Sequence, residues 1–251
     1  MNHAPLADTL GSMVDMLPLP HWTALAALDD DAVPLMSTAL LIARDEYPQL
    51  DAELYDTLVQ SHVEHLRREV LPGLLAEAAK GRRVRIWSAG CSMGHETYSI
   101  ALRLLERMPD ARSHDIRILA TDIDRNVLAT ARAGRYDAAT LKVLTPADLD
   151  RGFRPAGPDL FEVRPELREL VAFHELNLLS DWPMRGTFDV VFFRNVAIYF
   201  DQGVREAIWL RMAERMPAGG WLYVGHSERV TGEPAALFSH EANTTYRRLA
   251  G

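Results

Sequence analysis

The stretch from Val84 to Leu105, V-R-I-W-S-A-G-C-S-M-G-H-E-T-Y-S-I-A-L-R-L-L, constrains this chain more than any other. A β-prone apolar run, Val84 to Trp87, enters a turn of small residues, Ser88 to Ser92, and beyond Gly94 the apolar period turns helical through Tyr98, Ala101, Leu102 and Leu105. The pattern predicts a strand, a glycine turn and a helix. Glycine lets the backbone of such a turn come close to a ligand where a side chain would block it, and in open α/β sheets the ligand lies outside the carboxyl ends of the strands. Many α/β proteins carry the same turn without a ligand, so further signals are needed. With 251 residues, 48% of them apolar, the chain can bury a large core.

Those signals follow in order. Ile116 to Asp124, I-R-I-L-A-T-D-I-D, reads as a buried strand ending in acids, with a helix through Val127 to Arg132. An acid at that strand end is placed to accept two ribose hydroxyls, which makes Asp122 a candidate ligand group. Asp124 reads as a helix N-cap. Val171 to Leu178 and Phe188 to Val196 are apolar enough to predict two central parallel strands. A helix is expected over Gln202 to Met216, then strands over Trp221 to Ser227 and Thr244 to Leu249, the last an antiparallel edge. Between them, Leu141 to Leu170 is polar and proline-broken, with Leu160 to Val163 suggesting a short hairpin. Upstream, apolar residues at helical spacing between Pro20 and Leu75 predict a helical lobe, in which His62 and His65 read as two histidines on a solvent-facing side rather than metal ligands.

Charge and composition exclude several classes. Residues 1–72 hold twelve acids and three bases, a net of −9, while the rest is near balance at +1, and an acidic front argues against nucleic-acid binding there. The single cysteine, Cys91, excludes a disulfide framework and a cysteine metal cluster; it reads as a small turn residue. No apolar run is long enough to span a bilayer and the first twenty residues lack a signal-peptide pattern, so no membrane insertion and a cytoplasmic location are expected.

Three features, the Gly90 turn, Asp122 and Arg194-Asn195, fall at strand carboxyl ends, which a parallel sheet brings to one crevice. An arginine there can hold a carboxylate by a charge-assisted pair or serve as partner to a structural acid, and Tyr199 offers a hydroxyl nearby. Arg85 to Ser99, Ala120 to Tyr136, L-N-L at 176–178, F-x-R-N-V-x-I-Y-F at 192–200 and G-H-S-E at 225–228 together resemble, in order and spacing, the CheR-type chemoreceptor glutamate methyltransferases. The likeness runs from about Glu64 to the C-terminus.

The resemblance implies a doubly wound, mostly parallel, seven-stranded class I methyltransferase sheet of Rossmann-like kind over 77–251. It carries a small β-hairpin insertion near 151–169 and a helical domain over 1–76. It also implies S-adenosylmethionine as cofactor and S-adenosylhomocysteine as product. Ala89 and Gly90 would pass beneath the methionine part, Glu96 would face its amino end and Asp122 its ribose; Asn177 and Leu178 would flank the adenine, and Phe193 with Arg194 would complete the wall. Arg194 and Tyr199 match the pair at the methyl-transfer site. Trp87, Asn195, His226 and Glu228 also match and read first as structural.

Two departures bear on the acceptor. The family's Gly-Glu-Glu-Pro-Tyr-Ser is here Gly94-His95-Glu96-Thr97-Tyr98-Ser99, and the Thr-x-Phe-Phe-Arg segment is replaced by Tyr55 to Ser61, where Thr57 could stand for the threonine and no arginine stands. The expected activity is methyl transfer to a carboxylate, on a chemoreceptor-like protein glutamate; the alternatives are a small-molecule acceptor or a non-catalytic cofactor-binding signalling module. The acceptor carries a carboxylate in either enzymatic reading.

Overall fold

The computed structural model describes residues 61–225, 228–242 and 244–250. The helical domain expected over 1–76 lies outside the described residues except for its last helix. That helix spans 61–79 and opens over Leu66–Val70 into a π-turn, where the Leu71 N–H donates to the Leu66 carbonyl, before resuming as α1 (Leu71–Ala79) with Pro72 in its first turn. A wider turn just ahead of a proline relieves the bond that proline cannot donate and the clash of its ring with the preceding turn.

The chain then alternates β1 (Val84–Ala89), α2 (His95–Arg107), β2 (Ile116–Asp122) and α3 (Arg125–Ala133), as the sequence predicts. Asp124 caps α3 by accepting the Asn126 N–H at 2.7 Å. Next come β3 (Arg135–Asp137), α4 (Pro146–Gly152), β4 (Phe153–Gly157), β5 (Leu160–Val163), a single turn α5 (Pro165–Arg168) and β6 (Val171–Glu175). The last part holds β7 (Val190–Phe193), α6 (Gln202–Glu214), β8 (Trp221–Val224), β9 (Phe238–Ala242) and β10 (Thr245–Arg248).

Seven strands form one sheet in the order β6-β2-β1-β7-β8-β10-β9, parallel from β6 to β8 and antiparallel across β10. Two details differ from the sequence expectation. β6 is an edge strand, and its apolar Val171 and Phe173 are only half-buried, so its run of apolar residues covers one face instead of filling the middle. β10 is internal: β9, whose F-S-H-E-A is largely polar and exposed, pairs outside it. The expected hairpin insertion is a three-stranded sheet, β3-β5-β4, because Arg135–Asp137 pairs antiparallel with Leu160–Glu162.

Alternation along the central strands feeds a core on each face. Ile86, Val190, Phe192 and Tyr223 pack with Ile100 and Leu104 of α2 and with Leu66 and Leu71, while Trp87, Val191, Phe193 and Val224 pack with Trp209 and Met212 of α6. His62 and His65 are not solvent-facing. His62 is 3% exposed with its Nε2 2.8 Å from Thr244 Oγ1, and His65 Nδ1 lies 2.8 Å from the buried Tyr223 hydroxyl. The face that carries them docks on β8 and on the residue ahead of β10, where an aromatic ring and a hydroxyl accept polar tips that water would otherwise hold. At the amino end of the sheet, buried Asp189 accepts the Arg85 N–H at 2.8 Å and both Arg82 amino groups at 2.8–2.9 Å, tying β7 to β1. Among the described residues no helix is long and apolar enough to cross a membrane, and no group of three or more His, Cys, Asp or Glu is arranged to hold a metal ion.

Candidate active site

The loops leaving β1, β2 and β7 meet at the carboxyl rim of the sheet. The β1 turn is tied to β2 by the Gly90 and Cys91 N–H groups, which donate to the Thr121 carbonyl at 2.7 and 2.9 Å. Gly90 has φ +81°, and a Cβ there would lie 2.2 Å from Val196 Cγ2. The close approach that demands glycine is therefore to the chain's own β7 loop. Ala89 beside it is buried.

Glu96, in the first turn of α2, points back at the strand ends. Its Oε1 accepts the Ser88 hydroxyl at 2.9 Å and its Oε2 accepts Arg194 Nη1 at 3.1 Å, with Glu96 8% and Arg194 7% exposed. One amino group of Arg194 therefore has an acid of the fold, Glu96, as its partner. Ser88, which the sequence pattern puts in the turn, lies within β1 and is a site group that pattern does not single out; its position opposite Trp87 on an alternating strand is the available signal.

Asp122 ends β2, and its oxygens accept the Ser92 N–H at 2.7 Å and the Asp124 N–H at 3.0 Å. Burial pushes its carboxyl above the usual range against the pull of these backbone donors. A carboxylate has about four lone-pair positions, which the backbone donors do not fill, so room remains for a hydroxyl donor from outside. Ser92 reaches it from a left-handed conformation, φ +48°. Cys91 is buried and its thiol is pushed far up, by burial first and then by Asp122 and Glu96, which leaves it inert as a nucleophile.

The other candidates are spread around the rim. Asn177 is exposed and caps its own turn, accepting the Leu179 N–H at 2.9 Å. Leu178 is nearly buried, and its carbonyl accepts Trp182 Nε1 at 3.1 Å and Arg211 Nη1 at 2.8 Å; Arg211, which the sequence reading passed over, also lies 4.1 Å over the Trp182 ring. Phe193 is fully buried, edge-on to Trp209 at 5.1 Å, so its ring belongs to the core and only its backbone reaches the rim. Tyr199 is half-buried at the end of a short turn, Ala197–Tyr199. Trp87 is structural, donating to Thr121 Oγ1 at 2.9 Å, and so is Glu228, whose carboxylate accepts backbone N–H groups. His226 lies outside the described residues.

Residues 59–247 match the family described as CheR methyltransferase, SAM binding domain. The chain belongs to the CheR methyltransferase family. A relative from Rhizobium etli named probable chemotaxis protein methyltransferase is 50% identical over 74% of this chain and 70% of its own length. Chemotaxis protein methyltransferase 1 of Pseudomonas aeruginosa is 39% identical over 68% of this chain. The match spans just under two thirds, 64%, of that second relative. A solved S-adenosylmethionine-dependent methyltransferase from Mesorhizobium loti is 17% identical over 61% of this chain and 51% of its own, with a TM-score of 0.34, too slight a likeness to argue from. The sheet order and the family agree on a class I methyltransferase fold, and the donor set fits the family's cofactor. One half-buried carboxylate with acceptor capacity to spare sits on β2, and one buried carboxylate faces the β1 turn, as a ribose and a cationic amino acid end require.

Proposed function

We propose that this chain transfers a methyl group from S-adenosylmethionine to a carboxylate, on a protein glutamate of a chemoreceptor, yielding a methyl ester. The observation that carries the reading is the placement of Glu96, Arg194 and Asp122 around the carboxyl rim of the sheet in a member of this family. The relatives' names, chemotaxis protein methyltransferase, support the acceptor class. The bound cofactor would supply a methyl group on a sulfonium, and an ionised carboxylate is already a nucleophile toward it. The protein therefore needs to align and dry the two partners more than to remove a proton.

In this proposal Asp122 accepts the ribose hydroxyls and Glu96 the cationic amino end, with Ala89, Gly90, Asn177, Leu178 and the Phe193 backbone shaping the cleft. Arg194 and Tyr199 orient the acceptor carboxylate. The methyltransferase domain covers 77–251, and the protein works in the cytoplasm.

Labelled cofactor incubated with the protein and receptor fragments should give a base-labile product. Asp122→Ala should weaken cofactor binding by about tenfold or more, the loss of hydrogen bonds made by a charged group. Titration showing unchanged affinity in that variant, or a base-stable product, would remove the proposal. A small-molecule carboxylate is the second reading, favoured by the missing arginine between Tyr55 and Ser61 and by the engagement of Arg194 with Glu96. It predicts turnover on metabolite acids and none on receptor fragments.

A further inference from the structure

Glu228 has a larger part than holding two strands together. It is 4% exposed, yet its carboxylate meets four backbone donors from two chain segments: Oε2 accepts the N–H of Asn195 at 3.0 Å and of Gly225 at 2.5 Å, and Oε1 that of Val196 at 2.9 Å and of Ala197 at 2.6 Å. Three successive N–H groups converge because Asn195 adopts a left-handed conformation, φ +58°, which shapes the backbone into an anion-binding concavity. The anion here is supplied by the chain. The fit is tight: a Cβ on Gly225 would lie 2.5 Å from Glu228 Oε2 and 2.7 Å from the Asn195 nitrogen.

The gathered segment is the one that carries the rim side chains. Arg194, held to Glu96, immediately precedes it, and Tyr199 follows it by one short turn. Val196 within it fills the space beside Gly90, so the same segment also sets the β1 turn. A half-ångström drift of residues 195–197 would thus move the groups on both sides of the transfer site at once, and a misplacement on the ångström scale costs about 100-fold in rate.

We propose that Glu228 is a positioning residue for methyl transfer. Its carboxylate draws the amides of residues 195–197 into one fixed loop, so that Arg194 and Tyr199 face the acceptor. The inference rests on the functional reading above only in the roles of those two side chains; the holding of the loop stands apart from it. The test uses the full chain and the variants Glu228→Gln and Glu228→Asp.

Hydrogen exchange should show the amides of 195–197 opening about tenfold faster or more in Glu228→Gln, with α2 unaffected. Turnover on a receptor fragment should fall about 100-fold in kcat, with cofactor affinity falling about tenfold at most, because Val196 also borders the Gly90 turn, and Glu228→Asp should recover part of the loss. Unchanged exchange, unchanged kcat, or cofactor affinity falling in step with kcat would each overturn the inference, as would failure of both variants to fold. Should the parent chain turn over no acceptor, the functional reading fails, while the exchange measurement still decides whether Glu228 holds the loop.

Discussion

The rim of the large sheet and the small sheet β3-β5-β4 both carry acids, and the inner rim and the small sheet use them in opposite ways. At the rim, Glu96 and Glu228 are buried and Asp122 is half-buried, and the three are bonded to backbone N–H groups, a serine hydroxyl and one arginine. On the small sheet, Glu162 meets Arg154 at 2.9 Å and Arg168 at 3.2 Å in reach of solvent, and at the outer edge of the rim Glu175 of β6, in register with Asp122, follows the same exposed pattern with Arg125 at 2.7 Å. Burial raises Asp122 and Glu228, whereas hydrogen bonds from arginine hold Glu162 and Glu175 below the usual carboxylate range. An acid kept dry against its solvation cost has a geometric task; an acid paired in water needs none.

That contrast can be broken at several points. The largest effect is expected for Glu96→Ala, which removes the carboxylate that Arg194 and Ser88 both donate to; breaking a buried pair from one side should lower stability by about 3 kcal/mol or more in urea denaturation. A loss under about 1 kcal/mol would show the pair to be no more than a surface one. Gly90→Ala comes next. It puts a side chain at φ +81° against Val196 and should cost about 2–3 kcal/mol, with Val196→Ala recovering part of it, since the clash is with that side chain.

A smaller effect concerns pH. Burial holds the His65 imidazole below its usual 6.5, opposed by Glu69 and Glu241. Between the folded and unfolded values the unfolded chain binds more protons, so stability should rise with pH through that window and be lost as pH falls below about 6.5. In His65→Gln the slope of melting temperature against pH over that interval should flatten; an unchanged slope would place the proton elsewhere. Smallest is Glu175→Gln, an exposed pair whose loss should register within about 0.5 kcal/mol and shrink further in salt.

Much of this was legible in the chain itself. Val190–Phe193 is buried on both faces and reads as an unbroken apolar run, Val84–Ala89 and Ile116–Asp122 are strongly apolar apart from an arginine near their starts and polar residues near their ends, and the Asp124 cap declares itself through the helical period that follows. β6 misleads because an edge strand with one covered face can carry the same apolar residues as a central one. β3 and β9 escape notice because three residues and a polar run leave no period to count. Arg194 was found as a residue but not in its attachment, since Glu96 stands 98 positions away and only the sheet brings them together. His62 and His65 show the same limit. Their spacing marks a shared helical face, yet what that face meets is decided by Thr244 and Tyr223.

The widened turn at Leu66–Val70 makes the helix before the sheet sensitive to length. It accommodates one residue more than a regular helix of the same rise, and each residue turns the helix by about 100°. Removing one residue there would let the coil close up regularly, but it would swing the histidine pair a quarter-turn or more away from its hydroxyl partners. In this stretch, insertions and deletions should be tolerated far less well than exchanges of one side chain for another.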